Sequence, residues 1–339
     1  MEQDQSPWYL HQPDNKLIEK FRFIQHKEDE RLRDATMDTA HSRWSLGVSV
    51  LPQNDSRNRY VNIMPYERNR VKLKVVQGNN YINASYVKVE IPGQSLSPGR
   101  YIATQGPTEN TWGQFWQMCY KECPGKDIVI VMVTPLEEHG RQKCYPYWPR
   151  DKNSDKIRIA TRLQTPGGPN DLSVFADDLC VEYKDSSRID DSYVLTTLEI
   201  RPLSGRGPTK TVHHFYFDLW RDMSKPDQVV PIMQMCKHSH SLSPKENPIV
   251  VHCSAGVGRS GTFIALDHLM NDTADFRAGL ASQDNTITAL DHYDHDLVEQ
   301  IVLQLRTQRL KMVQMIDQYL FIYHAANYLY HVLGSKKST

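Results

Sequence analysis

The segment Asn247-Pro-Ile-Val-Val-His-Cys-Ser-Ala-Gly-Val-Gly-Arg-Ser-Gly-Thr-Phe263 concentrates the residues able to do chemistry. An apolar run ends at His252 and Cys253, a stretch of small residues follows, and Arg259 and Ser260 open what reads as a helix. Small residues let successive backbone N–H groups point inward as an anion nest, and the helix start adds its positive end. A thiol in that field is predicted to be largely thiolate, because helix N-termini and nearby cations lower a cysteine pKa from about 8.5 to roughly 3.5–7.5. Cys253 therefore reads as a nucleophile rather than a core thiol. Arg259, six residues on, offers a planar fork that can hold two oxygens of a tetrahedral dianion. The backbone of Ser254, Ala255, Gly256, Val257 and Gly258 forms the cup between them. His252 and Ser260 flank it, and the Ser260 hydroxyl can hydrogen-bond the thiolate and tune it.

A different chemistry shares part of this pattern. Gly256, Gly258 and Gly261 also fit Gly-x-Gly-x-x-Gly, the turn that binds a dinucleotide. Two features argue against it: no second strand–helix–strand unit follows Met270, and a pyrophosphate turn has no use for Cys253 or Arg259. Cys119 and Cys123 lie four apart, yet no second Cys/His pair with zinc-like spacing stands near them, so they read as buried thiols. His213 and His214 fall in a strand-like run and His238 and His240 in a helical one, where packing or surface roles are expected. No metal and no cofactor is expected.

The elements that must position this loop follow from periodicity. Pro248 to His252 is a short buried strand and Ser260 to Met270 a helix. Upstream, Trp8 to Ala35 carries apolar residues among alternating charges, as in one or two amphipathic helices. Strands are expected within Tyr81–Thr104 and at Ile128–Val133, with a helix from Thr111 to Glu122 between them. Further β-like runs occupy Lys143–Trp148, Lys156–Leu163 and Asp177–Tyr183, and a hairpin joins Tyr193–Arg201 to Thr209–Phe217 through Ser204–Pro208. Val229 to His240 is helical, Asn271 to His295 is a polar surface insertion, and Leu297–Leu310 and Ile316–Leu333 are closing helices. No repeat and no interdomain linker is visible, so one domain accounts for the chain.

Composition narrows the partners. The 339 residues carry 40 Lys+Arg against 40 Asp+Glu, with a pI near 7.2 and a mean hydropathy of −0.58. That balance supplies no basic field for nucleic acid or an anionic membrane surface, so an anion must be met by local groups. No apolar run approaches the roughly 18 residues of a membrane span, and the N-terminus lacks the basic and apolar regions of a signal peptide. Six cysteines spread over the chain read as reduced thiols, which points to the cytoplasm.

His-Cys-x5-Arg-Ser resembles the signature of protein tyrosine phosphatases, and the resemblance runs from about Asn58 to Tyr330. It takes in Asn58-Arg-Tyr60, Tyr81-Ile-Asn-Ala-Ser85, Thr104-Gln-Gly-Pro107, Lys143-Cys-x-x-Tyr-Trp-Pro149 and Met312-Val-Gln-x-x-x-Gln-Tyr319. The chain is similar to the small, soluble, tyrosine-specific members. The resemblance implies an α/β fold: a single domain with a highly twisted mixed sheet flanked by helices, and the Cys-x5-Arg phosphate-binding loop between a strand and a helix. Residues 41–334 are then the catalytic domain, 1–40 a helical extension and 335–339 a short polar tail. The implied reaction is hydrolysis of phosphotyrosine in proteins through a cysteinyl-phosphate on Cys253, and the implied partners of this monomer are tyrosine-phosphorylated proteins.

The remaining roles are carried over position by position. Arg259 and the N–H groups of the loop hold the equatorial phosphate oxygens. Asp222, beside Trp220 in Trp220-Arg-Asp222, matches the mobile-loop acid that protonates the leaving phenolate and later activates water. Gln314 matches the glutamine that positions this water, with Gln318 beside it. Tyr60 matches the aromatic wall that makes the cleft deep enough for phosphotyrosine, Glu138 the carboxylate that orients Arg259, and Lys143 the lysine that meets the closed loop. Two positions depart from the family. Arg221 replaces the usual proline of the acid loop, and Asn62 replaces an aspartate that binds the peptide backbone, keeping one acceptor oxygen without its charge. Two other readings are a phosphotyrosine-binding protein with weak turnover because of the Trp-Arg-Asp loop, and an enzyme for phosphoinositides or phosphoserine and phosphothreonine. The four catalytic positions are all filled, which argues against the first; the cup has no lysine for extra phosphates, which argues against the second.

Overall fold

The run Ile128-Val-Ile-Val-Met132 is apolar at every position, the pattern of a strand covered on both faces. In the computed structural model, which describes residues 6–220, 229–277 and 293–335, it is the central strand of a nine-stranded sheet. We number the strands β1 (Arg70–Lys72), β2 (Tyr81–Val89), β3 (Gly99–Thr104), β4 (Asp127–Met132), β5 (Lys156–Ile159), β6 (Leu179–Ile189), β7 (Tyr193–Pro202), β8 (Lys210–Tyr216) and β9 (Ile249–His252). Their spatial order is β1-β2-β3-β9-β4-β8-β7-β6-β5. The middle four, β3, β9, β4 and β8, are parallel to one another, and antiparallel pairs extend the sheet on both sides. Strand β9 is locked between β3 and β4, with His252 opposite Thr104 and Met132. The chemistry-bearing loop thus leaves from the most constrained part of the sheet.

Alternation along the central strands assigns the two cores. Val129, Val131 and Val133 face one layer with Ile249, Val251 and Cys253. Ile128, Ile130 and Met132 face the other with Val250. Helix α2 (Trp112–Glu122) covers the second layer with Phe115, Trp116 and Cys119. The first layer is built on α3 (Val229–Leu242), α4 (Gly258–Asp272), α5 (Leu297–Arg306) and α6 (Ile316–Ser335), and α1 (Asp14–Met37) lies on α5 and α6. Helix α1 is joined to them by Lys20, which pairs with Asp296 and Glu299, and by a fully buried Glu28–Arg306 pair.

Three expectations need correction. Lys143–Trp148 is not a strand: Pro146 interrupts it and Pro149 follows it, and its amides form no ladder, Lys143 and Cys144 N–H both meeting the Leu136 carbonyl and Tyr145 N–H that of Pro107, while Tyr147 and Trp148 are buried core. Helix α5 stops at Arg306, not Leu310. The start of the polar segment 271–295 belongs to the fold: α4 runs to Asp272, Thr273 bridges to Ser95, and one further helical turn covers Ala274–Arg277. Residues 278–292 lie outside the described residues.

Candidate active site

After His252 the backbone turns so that carbonyls point out of the loop and N–H groups point in. The outward carbonyls all find donors. His252 Nδ1 lies 3.0 Å from the Cys253 oxygen, and Gly106 N–H donates to Ser254 over 2.9 Å. Arg309 donates to Ala255 (3.0 Å) and Gly256 (2.9 Å), and Val313 N–H donates to Val257 (3.0 Å). Gly256 has φ +75°, and a β-carbon there would run into the Thr104 carbonyl, so only glycine serves. Helix α4 then starts at Gly258 with no side-chain cap at Val257, leaving its first amides to the cup.

The thiol responds to this frame. Burial alone would raise Cys253; the Ser260 hydroxyl and the N–H groups of Ser260, Val257 and Gly256 outweigh it and hold the thiol below its ordinary value. The Gly256 N–H stands 3.2 Å from the sulfur. Burial pushes Cys119 and Cys236 well up and Cys123 and Cys144 up to about 12. Arg309 adds a permanent charge beneath the loop. Burial lowers it to about 10, so it stays a cation at neutral pH, and among the described residues it has no carboxylate partner.

On the sheet side, burial holds His252 down at about 4. A neutral His252 facing the Cys253 carbonyl must carry its proton on Nδ1. Its Nε2 then accepts from the Tyr147 hydroxyl over 2.7 Å, and Tyr147 accepts from His214 Nε2 over 2.8 Å. Burial holds His214 well below its ordinary value as well.

Above the sulfur lies a cavity of about 380 Å³. Cys253, Ser254, Ala255, Gly258 and Arg259 form its floor. Tyr60, Asn62, Ile63, Thr134, Glu138, Lys143, Gln314 and Gln318 form its walls. Arg259 is aimed by Glu138, whose Oε1 accepts from Nη2 at 2.8 Å, with Thr134 Oγ1 at 3.4 Å from Nη1. Tyr60 leans over the cup, its hydroxyl 2.8 Å from Ser254 Oγ. The loop carrying Tyr60 is tied down by Arg59, whose N–H donates to Gln105 and whose guanidinium donates to the Gly106 and Pro107 carbonyls. Gln318 accepts from the Met315 N–H at 3.0 Å, closing the turn that presents Gln314.

The other expected site residues fall elsewhere. Gly256 and Val257 are buried in the wall of the loop, and Ser260 and His252 are buried beneath it. Trp220 does not line the cavity: it is fully buried against Phe217 and Phe321. Asp222 and Arg221 lie outside the described residues. Arg309, Thr134, Tyr147 and His214 carry site geometry that the sequence reading missed or left to packing.

Fold and site together define an α/β protein in which the inner parallel strand β9 feeds a cup of inward amides, with a depressed thiol at the floor and a braced guanidinium at the rim. Residues 54–328 match the Protein-tyrosine phosphatase family. The chain is 62% identical over 325 residues to Tyrosine-protein phosphatase 1 of Saccharomyces cerevisiae, covering 96% of this chain and 97% of that one. It is 33% identical over 311 residues to Tyrosine-protein phosphatase 2 of Schizosaccharomyces pombe, covering 91% and 39%. A solved structure from work on the PTPN18 fingerprint on distinct HER2 tyrosine phosphorylation sites superposes with a TM-score of 0.71 at 25% identity, covering 93% of this chain and 95% of that one. The chain belongs to the protein-tyrosine phosphatase family: it is a hydrolase of phosphotyrosine in proteins that works through a cysteinyl-phosphate intermediate.

Proposed function

We propose that Cys253 is the nucleophile of this reaction and Arg259 its phosphate clamp. The observation that carries this reading is their shared cavity: the sulfur at the floor has its thiol pulled down, and the Arg259 fork is pre-aimed from the rim by Glu138. The Cys253 thiolate attacks phosphorus as the bond to the phenolic oxygen breaks. Asp222 protonates that oxygen, a role that rests on its place in Trp220-Arg-Asp222. A water held by Gln314 then gives a proton to Asp222 and attacks phosphorus, releasing inorganic phosphate and restoring the thiolate. The amides of Ser254 to Arg259 hold the equatorial oxygens throughout, and Ser260 and His252 keep the sulfur and loop in place.

Tyr60 walls the substrate ring, Asn62 meets the peptide backbone, and Lys143, Gln318 and Trp220 support the loops around the site. Residues 41–334 form the catalytic domain, 1–40 its helical extension and 335–339 a tail. The enzyme acts as a monomer in the cytoplasm, in signalling through tyrosine-phosphorylated proteins and not on nucleic acid; among the described residues no helix is long and apolar enough to cross a membrane. Cys253→Ser tests the central assignment. Turnover of a phosphotyrosine peptide is expected to fall by more than about 10²-fold, with unchanged melting and retained peptide binding. Activity within about tenfold of wild type would remove Cys253 from the mechanism.

A further inference from the structure

Gln314 lines the cavity but makes no hydrogen bond of its own among the described residues. Its place is therefore set by the backbone it stands on. That backbone is unusual: Lys311 and Val313 have φ of 55° and 59°, a left-handed conformation costly for a β-branched residue and kept only where surroundings impose it. The groups imposing it can be named. Arg306 Nε donates to the Met312 carbonyl at 2.6 Å and Nη2 to the Val313 carbonyl at 2.9 Å. Both oxygens of Glu28 accept from the Lys311 N–H, at 3.2 and 3.0 Å, and Glu28 Oε1 lies 3.3 Å from Arg306 Nη1. Gln25, on the same helix, accepts from Arg306 Nη1 at 3.0 Å. Glu28 and Arg306 are both fully buried. One carboxylate on α1 thus fixes both the amide that starts the turn and the guanidinium that holds its next two carbonyls.

We propose that Glu28 is a positioning residue for breakdown of the cysteinyl-phosphate: through Arg306 and the Lys311–Val313 turn, helix α1 sets where Gln314 holds the attacking water. The proposal rests on the reading of Gln314 given above. It assigns the N-terminal helix a part in the second chemical step and none in the first. The first step uses Cys253, Arg259, the loop amides and the leaving-group acid; the braced turn meets that set at one point, the Val313 N–H on the Val257 carbonyl, a backbone bond that neither substitution below removes.

That asymmetry supplies the test. In the 339-residue chain, with para-nitrophenyl phosphate as probe, kcat/KM reports only steps up to loss of the phenol, while kcat also contains hydrolysis of the phosphoenzyme. Glu28→Gln keeps size and one acceptor but releases the charge pairing of Arg306. Arg306→Lys keeps the charge but cannot span both carbonyls. Each is expected to lower kcat about tenfold, to leave kcat/KM within about twofold, and to raise the fraction of acid-trapped cysteinyl-phosphate. Leu17→Ala, buried elsewhere on α1, loosens the helix without touching the brace and should change neither constant well below its melting temperature. Gln314→Ala, measured alongside, should show the same split as the brace variants. If it shows the split while Glu28→Gln and Arg306→Lys lower both constants together or neither, the inference is wrong and the reading of Gln314 stands. If Gln314→Ala shows no split, that reading falls and the inference with it. Should Glu28→Gln fail to fold, Arg306→Lys decides on the same criteria.

Discussion

Arg309 donates its Nε–H to the Gly256 carbonyl across 2.9 Å, from 53 positions further along the chain. With its Nη2 on Ala255 and on Asn83, and Nη1 on Ser85, a single buried guanidinium fastens the phosphate loop to strand β2. Two peptide units cannot turn their carbonyls into the cup while Arg309 holds them out. Their amides therefore face into the cup in advance, the arrangement by which a site avoids reorganising during a reaction.

Arg309→Gln should cost stability and catalysis together. Leaving the buried carbonyls of Ala255 and Gly256 short of donors costs about 1–3 kcal/mol each, and a cup free to misorient should lower kcat/KM by about 10². Calorimetric binding of vanadate should weaken in parallel. Full vanadate affinity in a folded variant would mean that the loop holds its shape without this residue.

Peroxide should reach Cys253 first. It is the cysteine held below its ordinary value, whereas Cys119, Cys123, Cys144 and Cys236 are pushed up by burial, and the thiolate is the oxidisable form. Loss of activity should be reversible by thiol and blocked by phosphate. Mass spectrometry finding another cysteine oxidised before Cys253 would contradict the depressed thiol.

Asp222→Ala should lower kcat on phosphotyrosine by about 10² or more with binding retained, giving a substrate trap. Arg221→Pro should change kcat far less, since it restricts the loop backbone and leaves the acid. Equal turnover by wild type and Asp222→Ala on phenyl phosphate would show that another group protonates the leaving oxygen.

Acid should unfold the protein partly through His252. Its folded value of about 4 lies below the ordinary 6.5, so between these the unfolded chain binds the extra proton and stability falls as pH drops. Above pH 6.5 both states are neutral and the contribution vanishes; by pH 4 it has removed about 3 kcal/mol. Denaturant melts from pH 7 to 4.5 should show a shallower loss in His252→Asn than in wild type. Parallel slopes would mean that His252 protonates freely in the fold.

What the chain alone determined is local. Cys253 and Arg259 are separated by six positions on a strand–turn–helix, and covalent geometry with small residues between them leaves little freedom in how they meet. The unbroken apolar runs at 128–132 and 249–251 likewise specify strands covered on both faces, because they are rich in Val and Ile and too short for a buried helix. Lys143–Trp148 misled because its aromatics carry the composition of a strand, while Pro146 deprives it of a ladder donor. Tertiary structure decided the rest. Nothing near Arg306, Arg309 or Glu28 in the sequence separates them from solvated surface charges. A charged residue is buried only where distant groups complete its hydrogen bonds, and those groups are brought within reach only when the sheet, α1 and α5 come together. The same holds for the neutral state of His252, which burial in the folded core imposes, whereas its Nδ1 proton answers to the carbonyl of the next residue, Cys253.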